Sequence, residues 1–144
     1  MSEQTLLQRY RLFLFLLTGA IFIGVLVELY FTEHTESLPQ WIPFVLSGLG
    51  LVALVGVLVR PQRAMILALR GVMGLVTLGS FFGIFEHIEH NLEFALEIRP
   101  NAVASDVFFE ALGGPNPLLA PGILALGALL ALAATYYHPA LNKK

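Results

Sequence analysis

Four long apolar runs, separated by polar segments, dominate the pattern of the chain. They lie at about residues 11–31, 41–59, 64–96 and 118–137, and the third turns polar after Phe85. A helix rises about 1.5 Å per residue, so roughly 20 residues cross a hydrocarbon core of about 30 Å. Strands of a membrane barrel would alternate apolar and polar positions, and these runs do not. The pattern predicts an all-α membrane protein, one domain over residues 1–144 that forms a bundle of four transmembrane helices.

The third run is expected to continue as a helix beyond the lipid, because no Pro or Gly interrupts the sequence between Gly83 and Ile98. A short helix is predicted at about residues 105–112, with Ser105 as its N-cap and Gly113 and Gly114 as its stop. This helix lies in a segment of about 30 residues that precedes the fourth span, and segments of that length are often functional.

The basic residues predict the orientation of the bundle. Seven of the eight Lys and Arg residues precede the first span, connect the second to the third, or follow the fourth, and Arg99 is the exception. Loops rich in Lys and Arg stay in the cytoplasm. Both termini are therefore expected in the cytoplasm, and the segments near Glu36 and Asn101 outside it.

The composition supports a membrane location and excludes several functions. Only 12% of the residues are charged, whereas a soluble domain has roughly 25%. The net charge is −2 and there is no Cys, which argues against a nucleic-acid partner, disulfides and thiolate chemistry. No nucleophile lies at a recognisable spacing from a base, so the sequence favours a protein that is not an enzyme.

Candidate functional residues occur where the third run becomes polar. The stretch FEHIEHN at residues 85–91 contains two Glu and two His. The helical repeat places Glu86, His90 and Glu93 on the same face as the glycines of the third span, and His87 lies beside them. Glu28 lies in an apolar context near the end of the first span, where an acidic residue is a functional-site hypothesis by default, and His34 follows it. We expect the first and third spans to be neighbours and these side chains to converge.

Glu oxygens and His nitrogens together suit a divalent transition metal, namely Zn, Mn, Fe or Cu(II). The paired Glu-x-x-His motifs of di-iron bundles are absent. The predicted ligands are Glu28, His34, Glu86, His87, His90 and Glu93. The alternative interpretation is that these are ordinary solvated residues of a helix that leaves the membrane.

Two further functions remain open. Small residues allow helices to approach closely in lipid, so the protein could be a non-catalytic subunit that meets protein partners, or itself, through Gly48, Gly56, Gly79 and Gly83. A proton- or cation-coupled transporter is the third and weakest interpretation, because no span is broken by Pro and Gly at its centre.

Two segments carry a resemblance. HIEHNLEFALEIRP and FFEALGGPNPLLAPG resemble a family of small bacterial four-helix integral membrane proteins with no assigned activity. The matching positions are His87, Asn91, Glu93, Phe94, Glu97, Ala111, Leu112, Gly114, Leu119, Ala120, Pro121 and Gly122. The resemblance implies a location in the bacterial inner membrane. It implies no activity, and it favours His87 and Glu93 over Glu89 and His90.

Overall fold

The computed structural model describes residues 2–142, which form six helices. Their bounds are α1 Glu3–Phe31, α2 Leu38–Val59, α3 Arg63–Ile98, α4 Ala104–Ala111, α5 Leu119–Ala134 and α6 Pro139–Asn142. Three of them, α1, α2 and α3, are long and apolar enough to cross a membrane, whereas α5 is a shorter apolar helix. The predicted all-α class and membrane character are thereby confirmed.

The helix starts follow from local sequence. Ser2 caps α1, since its hydroxyl accepts the N–H of Thr5 at 3.3 Å. The short helix α4 begins at Ala104, and the carboxylate of Asp106 accepts the N–H of Val103 at 3.2 Å. The prediction of Ser105 as the N-cap was therefore wrong. Asp106 lies three residues after Val103, the spacing at which an acidic side chain reaches back to the cap.

Helices α1, α2, α3 and α5 form a four-helix arrangement in which α2 and α5 each contact both α1 and α3, and also touch each other. In the described part of the chain, no Cα of α1 lies within 8 Å of a Cα of α3. The expectation that the first and third spans are neighbours was therefore wrong, because these helices lie diagonally across the bundle. Their side chains can still face the same central space.

The core fills one half of this central space. Phe22, Leu69 and Met73 are fully buried there. The neighbouring helices approach closely, since a Cβ on Gly50 or Gly127 would overlap the ring of Phe22. Along α3 the buried positions continue to Ser80, after which the next buried residue is Asn91. The core therefore stops about halfway along the bundle.

Arginines hold the end of the bundle where this core lies. The guanidinium of Arg70 donates to the hydroxyl and the carbonyl of Thr135, both at 2.9 Å, and that of Arg11 donates to the carbonyl of Tyr137 at 3.0 Å. Arg63 donates to the carbonyl of Leu141 at 3.3 Å. We call this the arginine end. The carbonyls of Thr135 and Tyr137 lie just after α5 and that of Leu141 lies in α6, so the three arginines bind the segment that follows α5. Helix α5 ends at Ala134, before the predicted limit of the fourth span.

At the opposite end, α3 continues beyond the other long helices and carries α4. Val107 and Ala111 of α4 are buried, and α4 packs on α3. Arg99, the exception to the charge pattern, forms an ion pair with Glu110 at 2.6 Å, with both side chains about half exposed. The basic residue at this end thus has a local acidic partner.

Candidate functional site: a Glu/His cavity

A cavity of about 560 Å³ lies where the core stops, between α1, α2, α3 and α5. Its rim carries polar side chains from α1, from the connection to α2 and from α3, and we define the rim as Glu28, His34, Glu86, His87 and His90. We call this space the Glu/His cavity and this end of the bundle the Glu/His end. Five of the six predicted ligands therefore line one cavity. The sixth, Glu93, is exposed and does not line it.

The floor of the cavity is apolar. We define it by six apolar lining side chains from the four helices. Val25, Leu29, Leu46 and Leu124 are buried or half-buried, whereas Ile42 and Phe82 are partly exposed. Ser80 also lines the cavity, but its hydroxyl already donates to the carbonyl of Val76 at 2.8 Å. The floor therefore offers an occupant apolar contact rather than hydrogen bonds.

Prolines and glycines keep the walls of the cavity open. Pro43 lies inside α2 and Pro121 in the first turns of α5, and both line the cavity. Gly83 of α3 faces Pro121 so closely that an added Cβ would lie 3.2 Å from the proline Cβ. Small and rigid residues thus replace the large side chains that fill the other half of the bundle.

His87 is fixed by the loop that leads into α5. Its Nδ1 lies 2.9 Å from the carbonyl oxygen of Pro117. A carbonyl only accepts, so Nδ1 carries the proton, and in the neutral imidazole Nε2 is left as a free acceptor. His90 is held in the same way, with Nδ1 2.8 Å from the carbonyl oxygen of Glu86. Both imidazoles therefore have an Nε2 available for a ligand.

His34 favours the neutral form. Burial lowers the pKa of its imidazole below the ordinary value, and the nearby His87 lowers the pKa further. Its backbone N–H donates to the carbonyl of Leu29 at 3.0 Å, and Glu33 before it has φ 52°. This reversal after α1 brings His34 back to the rim. At neutral pH His34 adds no positive charge to the cavity.

Asn91, which was not among the predicted site residues, holds the loop before α5 against α3. Asn91 is buried, and its amide donates to the carbonyl of Asn116 at 2.8 Å and accepts the Asn116 N–H at 2.8 Å. Gly114 lies against this amide, since an added Cβ would lie 2.6 Å from Asn91 Cγ. Asn91 is four residues after His87, so one face of α3 binds the loop twice. The polar residue Asn91, one helical turn after His87, was the feature of the sequence that could have predicted this contact.

The rim carboxylates have no basic neighbour in the cavity. Of residues 2–142, no Lys or Arg lines it, and within the same range neither Glu28 nor Glu86 forms an ion pair with Lys or Arg. In this described part of the chain, no three His, Asp or Glu side chains are close enough together to hold a metal ion. The rim thus presents two carboxylates and three imidazoles that are gathered but do not form a ready coordination shell.

The fold and the cavity define a class, an all-α protein with helices long and apolar enough to cross a membrane and a polar-rimmed cavity at one end of its bundle. Comparison with protein-family models, curated proteins and solved structures finds no match to the chain.

Proposed function

We propose that the protein is a four-span membrane protein that binds a cation in the Glu/His cavity. The observation that carries the proposal is that Glu28 of α1 and Glu86 of α3 line one cavity from diagonal helices, without Lys or Arg among its lining residues in the range 2–142. Acidic side chains near the edge of the hydrocarbon are costly unless they are paired, hydrated or bound to a cation. A bound cation would offset the cost of placing two carboxylates there.

The orientation we propose places both termini in the cytoplasm and the Glu/His end outside. Arg11, Arg63 and Arg70 gather at the arginine end, and positive residues favour the cytoplasmic side. From Arg70 to Glu86 is 16 residues, or roughly 24 Å of helix, so Glu86 would lie near the opposite edge of the lipid. The proposed location in the bacterial inner membrane depends on the family resemblance.

A divalent transition metal is the cation that the sequence predicts. Imidazoles that bind metals usually donate their other ring N–H to a carbonyl or carboxylate, and His87 and His90 both do so to carbonyls. Metal binding would require the rim side chains to rotate until three or four donor atoms lie about 2.0–2.2 Å from one ion. Zn, Mn, Fe and Cu(II) all suit these donors.

The alternative of a subunit in a larger complex is supported by Gly48, which has open space around it. The other three glycines of that prediction face residues of the same chain, Gly56 towards Met65, Gly79 towards Leu46 and Gly83 towards Pro121. Of these four glycines, Gly48 is therefore the position at which a helix of another subunit would pack. Cation-coupled transport stays a prediction without a specific supporting observation.

The test is a binding titration of the full chain in phosphatidylcholine nanodiscs, with Zn²⁺, Mn²⁺ and tetramethylammonium as separate probes. We expect one site per chain for at least one probe, and at least about tenfold weaker binding after Glu28→Gln or Glu86→Gln. The matched control is Glu89→Gln, which changes an exposed carboxylate of α3 outside the cavity and should leave binding unchanged.

The probes also separate the kinds of ligand. Loss of Zn²⁺ or Mn²⁺ binding after His34→Ala would identify imidazole coordination, and therefore a metal site. Binding of tetramethylammonium that His34→Ala leaves unchanged would identify an organic cation. If no probe binds, or if binding is the same in the Glu28→Gln and Glu86→Gln variants, the proposal is wrong.

A further inference from the structure

The Glu/His cavity extends well below its polar rim. Its volume of about 560 Å³ lies within the range of roughly 300–1,000 Å³ that is typical of small-molecule sites. A bare ion held between Glu28 and Glu86 would leave most of that volume to the apolar floor. Apolar side chains that face empty space lose dispersion contacts, so an occupant of the floor would stabilise the fold.

Water is a poor occupant of this floor. A buried water needs two to four polar partners, and the floor as defined above consists of apolar side chains. The hydroxyl of Ser80 donates to its own helix. Two amides that also line the cavity are partly engaged, since the Gln40 side-chain oxygen accepts the N–H of Ser37 at 3.1 Å and the Asn116 side-chain amide donates to Asn91 at 3.0 Å.

The rim is acidic and the floor is apolar, so the two parts of the cavity suit the two different ends of one ligand. The rim has two carboxylates without Lys or Arg beside them in the described range 2–142. We propose that the cavity binds an amphipathic cation whose positively charged head lies between Glu28 and Glu86 and whose single apolar chain or ring system fills the floor. This inference rests on the proposed cation-binding function and specifies its ligand class.

The probes for the test share an eight-carbon chain and differ in head group. They are octyltrimethylammonium, octanesulfonate and octyl glucoside, with tetramethylammonium as the probe without a chain, all used below their critical micelle concentrations. The full chain is studied in phosphatidylcholine nanodiscs, with empty nanodiscs to subtract partition into lipid. Trp41, the only tryptophan, does not line the cavity, so binding is measured by isothermal titration calorimetry.

We expect octyltrimethylammonium to bind at least about tenfold more tightly than tetramethylammonium, because each buried CH₂ group favours binding. It should also bind at least about tenfold more tightly than octanesulfonate, since the carboxylates repel an anionic head. Glu28→Gln together with Glu86→Gln should weaken octyltrimethylammonium by a similar factor and leave octyl glucoside unchanged.

The volume of the cavity is tested with a substitution that reduces it. Ala120 lines the cavity, and Ala120→Phe should weaken all three octyl probes by at least about tenfold. The matched control is Leu126→Phe, which changes a half-exposed position of the same helix outside the cavity and should have no effect. If Ala120→Phe does not fold, the two Glu→Gln substitutions still decide the matter, because Gln keeps the shape of Glu.

The possible failures are distinct. Tetramethylammonium or a metal that binds through the carboxylates, with no gain from the octyl chain, would overturn the amphipathic ligand and leave the proposed function intact. Octyl probes that bind equally whatever their head group, and are indifferent to the Glu→Gln substitutions, would overturn both proposals. Binding that Ala120→Phe and Leu126→Phe weaken alike would place the probes in the lipid and overturn the inference.

Discussion

Single contacts around Asn91 decide whether the loop before α5 stays on α3. A Cβ on Gly114 would lie 2.6 Å from Asn91 Cγ, whereas a Cβ on the adjacent Gly113 would be 3.8 Å from its nearest neighbour. We expect Gly114→Ala to destabilise the protein by about 1–3 kcal/mol, the usual cost of overpacking, and Gly113→Ala to be nearly neutral. Thermal unfolding of both variants in detergent measures the difference.

The loop also forms one wall of the cavity, so Gly114→Ala should weaken the binding of the probes as well as stability. Equal unfolding temperatures for the two glycine variants would show that the Asn91–Asn116 hydrogen bonds do not hold the loop.

His138 makes the arginine end sensitive to acid. Burial, Arg11 and Arg70 all lower the pKa of its imidazole below the ordinary value of 6.5, with burial the largest cause. Its Nδ1 accepts the N–H of Ala140 at 3.2 Å, and protonation would remove that acceptor. The unfolded chain therefore takes up the proton more readily, so this contribution to stability is present above about pH 6.5 and is lost as the pH falls below it.

The measurement is the unfolding temperature of wild-type and His138→Asn protein between pH 7.5 and pH 5. Asn keeps an acceptor but does not titrate, so we expect a smaller decrease on acidification for His138→Asn. Some decrease should remain, because the lowered pKa of His34 acts in the same direction. Identical decreases for the two proteins would show that His138 does not cause the sensitivity.

At the scale of elements, the glycines of α2 have two different roles that the sequence does not distinguish. A Cβ on Gly50 would overlap the ring of Phe22, which is fully buried, whereas Gly48 has nothing within 4 Å. We expect Gly50→Ala to destabilise the monomer by about 1–3 kcal/mol and Gly48→Ala to have little effect. Unfolding in detergent, where lipid and partners are absent, compares the two.

Gly48→Leu adds a test of assembly. If an external helix packs at this face, this substitution should remove an oligomer or a co-purifying partner from membranes while the unfolding temperature of the monomer is unchanged. An unaltered assembly would remove the observation that supports the subunit alternative.

The sequence predicts which segments are helical better than it predicts which helices pack against each other. Apolar length was enough to indicate α1, α2 and α3, because lipid imposes it. The diagonal arrangement of α1 and α3 was not predictable, since the small residues that decide it occur on every span. For the site, helical spacing put Glu86, His90 and Glu93 on one face of α3, and of these Glu86 and His90 line the cavity. It could not show that Glu93, one turn further on, faces solvent, nor that Asn91 is buried beneath the loop.

At the scale of the whole molecule, the orientation can be measured directly. The chain has no Cys, so single cysteines can be introduced without a background of native thiols. We expect Thr35→Cys and Asn101→Cys to react in intact cells with a maleimide that does not cross membranes, and Gln62→Cys to react only after permeabilisation. The reverse pattern would invert the proposed orientation, and labelling of all three in intact cells would rule out a four-span protein.

The central claim is that Glu28 and Glu86 act together on one cation. A double-mutant cycle tests it, with the dissociation constants of Zn²⁺ and of tetramethylammonium measured for the wild type, for each Glu→Gln variant and for the double variant in nanodiscs. Residues that share a ligand show strongly non-additive effects. We predict, for at least one probe, that each single substitution weakens binding at least about tenfold and that the double variant is scarcely weaker than either. Losses that simply add, or a wild-type protein that binds neither probe, would contradict the account.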